Sequence, residues 1–287
     1  MGNHYVPQEY LRGFTDSSCP DALWQFDKAT LSYSKQPASI AKIAQQSSFY
    51  DPDTERRLNE LVEIPGNRVL KKLRSGDLAL NDKERFHLSV YIATMLWRVP
   101  HHRAKGEAMA PGVLTELTRE LREQIRAYAH AGEISAETAG KHLAMTDAAE
   151  AKFASRIPDN VREQIRSPWP AKSVIDLVYR MHWRFVCADD DVDFLVTDNP
   201  AFFFECYGLG TERSEFTFPV SSSLAIFGSW TPVANGDSVR RGSPFVKEAK
   251  RNPASFGQPL EPALDHAAPT FYLRTSAGPR TPLLTAR

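Results

Sequence analysis

The 287-residue chain balances 35 Lys and Arg against 35 Asp and Glu, with 42% apolar and 24% charged residues. That composition is ordinary for a globular protein, and a formal charge of zero argues against broad electrostatic binding to duplex nucleic acid, which needs a basic excess. Cys19, Cys187 and Cys206 show no paired metal spacing, no export pattern opens the chain, and no apolar run is long enough to cross a bilayer, so the expected setting is a reducing cytoplasm with no membrane partner.

In chain order, the first 50 residues read as irregular and β-rich. Ala22 to Phe26 and Leu31 to Ser34 flank a polar DKAT segment and predict a hairpin, and SIAKIAQQ suggests a short helix. Pro52 and Asp53 resemble a helix start; Leu58, Leu61 and Val62 keep helical spacing, Pro65-Gly66 should kink or stop that helix, and Asn67 to Arg74 would resume it. The clearest helix is capped by Asn81 or Asp82, carries Leu88, Tyr91, Ile92, Met95 and Leu96 on one face, and ends near Val99-Pro100. Two or three amphipathic helices follow between Pro111 and about Ile157, with Leu114, Leu117, Leu121, Ile125 and Tyr128 as one apolar stripe, and Lys172 to Cys187 reads as another helix. The character then turns to β in DFLVTDNPAFFF, EFTFPVSSSLAIFG and PTFYLRT, while VANGDSVRRGSP is a loop.

Strands, then helices, then strands predict an α+β fold: one mixed or antiparallel sheet from the N- and C-terminal segments, with the helical middle packed against it. The chain is expected to form a single domain over residues 1–287, with residues 105–170 as a helical insertion or subdomain.

The chemistry concentrates in a few places. In HYVPQEYLRGF, His4 can move a proton, Gln8 can orient water or substrate, and Arg12 offers a planar fork for phosphate or carboxylate. An extended segment would put His4, Gln8, Tyr10 and Arg12 on one face, and a helix would put His4, Gln8 and Arg12 there. Asp198 follows the apolar run Phe194 to Thr197 and precedes Asn199-Pro200, a turn that suits a site on a sheet rim. Asp189, Asp190, Asp191 and Asp193 read as a solvated turn, because the glycine and terminal Glu of a calcium loop are missing. Arg98, His101, His102 and Arg103 complement a helix C-terminus or bind an anion. Glu63 is placed to pair with Arg12 or Arg98. No Gly-rich phosphate loop, zinc spacing or nucleophile elbow occurs.

NHYVPQEYLRGF resembles the opening signature of the bacterial domain of unknown function 4238 family, whose members begin His-Tyr-Val-Pro-Gln-x-Tyr-Leu-Arg-x-Phe. LWQFDK, SSFYD, WRVPHHR, FLVTDNPAFFF and FTFPVSSSLAIFG resemble later family segments in order, so the resemblance reaches about residue 230. It implies a site built from His4, Gln8, Tyr10, Arg12, Glu63, Arg98, Asp198 and Asn199, and it supplies no activity. From the residue types, His4, Gln8, Asp198 and Asn199 are the catalytic candidates and Tyr10, Arg12, Glu63 and Arg98 the substrate-binding ones. Two readings stay open: a phosphoester hydrolase or nuclease acting on a nucleotide or nucleic acid, and a non-catalytic binding or immunity-type protein whose polar cluster is a structural network. No cofactor is predicted, with a divalent metal at Asp198 as the alternative, and the partner expected is a small phosphate-bearing ligand or nucleic acid.

Overall fold

Asn81 shows how literally parts of the sequence are obeyed in the computed structural model, which describes residues 2–28, 30–189, 192–203, 210–231, 239–241 and 270–273. Its side chain accepts from the Glu84 amide at 2.9 Å while the Glu84 carboxylate accepts from the Asn81 amide at 3.0 Å. This reciprocal cap starts helix α4, Asp82–Trp97, which buries Leu88, Tyr91, Ile92 and Met95.

The described chain divides into two units, residues 1–99 with 168–287, and residues 100–167. The first holds the strands. β1 (Gly2–His4) pairs antiparallel with β5 (Gln45–Ser47). A second sheet runs β11 (Val239–Arg241), β6 (His182–Cys187), β10 (Leu224–Ser229), β9 (Glu215–Ser221) and β8 (Phe202–Phe203), antiparallel except where β11 meets β6. A third runs β3 (Ser32–Tyr33), β2 (Ala22–Asp27), β12 (Thr270–Leu273) and β7 (Val196–Thr197), with β4 (Ala38–Ser39) also on β2. The fold is α+β with a helical middle, as the order of elements predicts. Among the described residues the expected single sheet resolves into three, of which the third mixes the two ends of the chain.

The opening segment changes conformation at Pro7, whose extended backbone precedes helix α1, Gln8–Leu11, and a 3-10 turn over Arg12–Phe14. Tyr10, Leu11 and Phe14 are thereby buried, with the Tyr10 ring 5.2 Å from Phe218 of β9. The Tyr10 hydroxyl donates to the Pro219 carbonyl at 2.6 Å, and Arg74 clasps the same junction by donating to the carbonyls of Glu9, Tyr10 and Val220. Gly13 is required there, because a Cβ would lie 2.4 Å from an Arg74 guanidinium nitrogen.

Between Pro52 and Arg74 the chain is helical throughout: α2 (Pro52–Leu58), a π turn (Asn59–Glu63) and α3 (Ile64–Arg74). The predicted interruption at Pro65-Gly66 takes the form of that wide turn, which accommodates a proline that cannot donate to the preceding turn. Gly66 is packed so close to α4 that a Cβ would lie 2.2 Å from the Tyr91 ring.

Two local expectations are corrected. SIAKIAQQ forms no helix: Ala44 has φ of 51°, and its carbonyl accepts the Tyr5 amide, which fixes β5 beside β1. The helix expected over Lys172 to Cys187 stops as α8, Lys172–Arg180, and residues 182–187 become β6. Arg85 ends α8 by donating to the carbonyls of Tyr179 and Met181, and the aromatic and β-branched residues beyond suit a strand.

The second unit contains α5 (Pro100–His130), α6 (Ala136–Ser155) and α7 (Asp159–Arg166). Helix α5 begins at Pro100 and runs through Pro111, earlier than the sequence suggests. Arg122 reaches Asp147 at 2.9 Å and also Glu150, which ties α5 to α6. The expected stripe is split: Ile125 is buried, whereas Leu117, Leu121 and Tyr128 are exposed.

Cys206, Asp190, Asp191 and most of VANGDSVRRGSP lie outside the described residues. Among those described, no helix is long and apolar enough to cross a membrane.

Candidate functional site

Arg98, at the C-terminal end of α4, is the centre of the polar cluster. It is 1% exposed, yet its guanidinium donates to the Glu63 carboxylate at 2.7 Å and to the His4 carbonyl, and it lies 5.9 Å from the centre of the Tyr50 ring. The Tyr50 hydroxyl returns a hydrogen bond to the Arg98 carbonyl at 2.8 Å, and the Tyr50 amide donates to the Asn3 side chain at 3.1 Å. Four segments therefore meet at one cation: β1, the loop before α2, the π turn and the end of α4. Burial is the largest influence and opposes the charged guanidinium, but the charge and hydrogen bond of Glu63 together with Tyr50 and Tyr91 more than offset it, so the arginine pKa is raised.

The π turn explains why two glutamates reach this place. Glu55 and Glu63 are eight positions apart, which in an unbroken α-helix is about 80° around the axis. One extra residue in the wide turn makes the spacing behave as seven, which returns both side chains to one face. Glu55 is hydrogen-bonded to the Asn3 side chain and is electrostatically coupled to Arg98 and Glu63. Burial pushes its carboxyl above the usual range, Arg98 pulls it down, and Glu63 pushes it up again, with a net rise.

His4 shows the opposite shift. Burial holds its imidazole below the ordinary value near 6.5, against the opposing effects of hydrogen bonding to the Ala41 backbone and of the Glu63 charge. A neutral imidazole and a carboxyl biased toward its acid form thus share one cluster. Several of its polar atoms are buried with no hydrogen-bond partner: His4 Nε2, Glu55 Oε2, Arg98 Nε and the Tyr91 hydroxyl, with Asn67 Oδ1 and Thr94 Oγ1 on adjoining turns. Each such group ordinarily costs about 1–3 kcal/mol, and several gather in and around this one cluster.

The other expected site residues lie elsewhere. Tyr10 is a core residue with its hydroxyl committed to Pro219. Arg12 is on the surface, with its side chain 42% exposed and paired with Asp21 at 3.2 Å and Glu9 at 3.6 Å. The shared face imagined for His4, Gln8, Tyr10 and Arg12 does not exist because Pro7 separates a strand from a helix, so no single periodicity holds. Gln8 opens α1 and is half-buried.

Asp198 and Asn199 follow β7, where the Thr197 hydroxyl donates to the Asn199 carbonyl at 2.6 Å and accepts its amide at 3.0 Å. No hydrogen bond or ion pair joins either of them to His4, Glu63 or Arg98. The end of the opening segment rests on β9 and the turn after it, where the Ser222 amide donates to the Gly13 carbonyl at 3.2 Å and the Ser222 carbonyl accepts the Phe194 amide at 2.7 Å, so the run that leads to Asp198 meets the same turn. Among the described residues, no group of three or more His, Cys, Asp and Glu is arranged to hold a metal.

A family model described as a protein of unknown function, DUF4238, matches residues 3–249. The chain belongs to the DUF4238 family. No curated protein and no solved structure matched it significantly. The match to DUF4238 covers every element of the cluster from Asn3 to Arg98 and also the Asp198-Asn199 turn. Because the DUF4238 description assigns no activity, the chemistry of the site rests on its residues alone. Asn3, Tyr50, Glu55 and Tyr91 are the cluster members that sequence reasoning missed in this DUF4238 chain. The one available signal was Pro65 inside a helical pattern, since a proline there makes a wide turn necessary and so changes which residues share a face.

Proposed function

We propose that the chain is an acid–base hydrolase centred on His4, Glu55, Glu63 and Arg98. The observation that carries this reading is the pair of half-buried groups His4 and Glu55, each with a partnerless side-chain atom and with opposite pKa shifts, in the field of one fully buried arginine. In this reading neutral His4 takes the proton from an attacking water, and Glu55, as the acid, protonates the leaving group. Glu63 orients the cluster by holding Arg98.

Arg98 is already bonded to Glu63 and to the His4 carbonyl, and its charge is balanced, so a dianionic phosphate monoester gains little here. A singly charged phosphodiester, of nucleotide size, suits the charge balance better. Arg12 and Asp198 take no part in this reading.

Bis-p-nitrophenyl phosphate, p-nitrophenyl phosphate, p-nitrophenyl acetate and p-nitrophenyl glycosides form the test panel. The expected result is turnover of the diester that falls at least 100-fold in both His4→Gln and Glu55→Gln, with folding retained. Diester turnover that survives both substitutions removes the proposal.

The second reading is a non-catalytic network. It is favoured by the burial of Arg98, which joins four chain segments while only 1% exposed. Under that reading the substitutions lower stability and no member of the panel is turned over.

A further inference from the structure

Away from that cluster, a cavity of about 660 Å³ opens between the end of α3 and the β9–β10 turn, lined by Arg74, Leu78, Cys187, Asp189, Ser221 and Ser223 among others. Its volume lies within the range of roughly 300–1,000 Å³ usual for small-molecule sites. One side is apolar: Leu73 at the end of α3, Leu78 in the loop after it, and Leu224 on β10.

Arg74 is unusual for a buried cation. Its three hydrogen bonds all go to neutral carbonyls, those of Val220, Glu9 and Tyr10, and among the described residues no carboxylate forms an ion pair with it. Carbonyl dipoles solvate a guanidinium without neutralising it, so its charge acts on the cavity beside it. The Ser221 and Ser223 hydroxyls, 3.2 Å apart in the turn between the strands, add donors that can rotate. Asp189, half-buried, supplies one negative charge to the same lining. Among the described lining residues, a cation and an anion stand together, and such a pair complements a ligand bearing both charges.

We propose that this cavity binds a small zwitterion with an apolar side chain, of the α-amino-acid class, its carboxylate toward Arg74 and the serine hydroxyls and its ammonium group toward Asp189. The site is separate from the His4–Arg98 cluster and does not depend on its chemistry.

Cys187 is a free thiol in the lining and reports occupancy. The test measures Cys187 alkylation by iodoacetamide, followed by mass spectrometry, in the full chain carrying Cys19→Ser and Cys206→Ser. The probes are L-leucine, 4-methylpentanoate, isoamylamine and inorganic phosphate, each at 10 mM. Leucine is expected to slow alkylation at least threefold and to raise the melting temperature. 4-Methylpentanoate should protect less, and isoamylamine and phosphate should not protect. Leu78→Trp, which fills the cavity, should abolish protection by leucine, and Asp189→Asn should bring leucine down to the level of 4-methylpentanoate. The proposal is overturned by any of four results: no protection by leucine, equal protection by 4-methylpentanoate in the parent, protection by phosphate, or leucine protection that persists in Leu78→Trp.

Discussion

Arg98 can be replaced in two instructive ways. Arg98→Leu leaves Glu63 without its cation and the His4 carbonyl without its donor, and breaking a buried pair by removing one partner costs about 3–5 kcal/mol. Arg98→Lys keeps the charge but not the fork, because an ammonium cannot place two parallel donors on Glu63 and the His4 carbonyl while stacking over Tyr50. Both variants are expected to unfold at lower urea concentration, with Lys recovering less than half of the loss seen with Leu. A Lys variant as stable as the parent contradicts the bridging role assigned to the guanidinium. His4, Glu63 and Arg98 were legible in the sequence because His, Glu and Arg in odd places invite a chemical reading. Glu55 was not, because on the surface of an ordinary amphipathic helix a glutamate at that position is unremarkable; only the added residue of the π turn brings it round.

The helical run from Pro52 to Arg74 and helix α4 set the geometry of the cluster by packing at Gly66 on Tyr91. Gly66→Ala forces a methyl group into the ring and should separate the two helices, since overpacking of this kind costs about 1–3 kcal/mol. Thermal denaturation of Gly66→Ala is expected to show a melting temperature several degrees lower, and combining it with Arg98→Leu should give less than the sum of the separate losses, because both loosen the packing of the Pro52–Arg74 helical run on α4. Full additivity would mean that the packing and the ion pair are independent. Much at this level could be read in advance. The Asn81 cap, the helix start at Pro52, the Ala22 hairpin and the β character beyond residue 195 all follow from local chemistry. The failures share a cause: Ala44 and Met181 end their segments through tertiary contacts, the first by accepting the Tyr5 amide and the second by accepting Arg85, and nothing local announces either.

For the molecule as a whole, the α+β class and the mixing of both chain ends in a sheet were legible, through β2 beside β12 and β12 beside β7. The assembly of the site was legible only in part. Sequence reasoning brought the first dozen residues to the strand before Asp198; Tyr10 and Gly13 anchor them on β9 and its turn, an attachment through an aromatic ring buried against Phe218 that the polar residues of the segment do not announce. The two shifted groups also give the fold a characteristic pH response. His4, lowered by burial, keeps its full contribution above its ordinary pKa near 6.5 and loses it as the pH falls through the folded value. Glu55, raised by burial, contributes below its ordinary carboxylate pKa and loses that contribution as the pH rises through the folded value. The fold thus disfavours the charged form of Glu55, as expected of a group retained for chemistry. Urea denaturation of the parent and Glu55→Gln at pH 4 and pH 7.5 tests this directly. The stability of Glu55→Gln relative to the parent should rise between pH 4 and pH 7.5, so that the variant is at least as stable as the parent at the higher pH; a variant whose deficit instead grows with pH would make Glu55 a stabilising partner of Arg98 and contradict the assignment of this cluster as an active site.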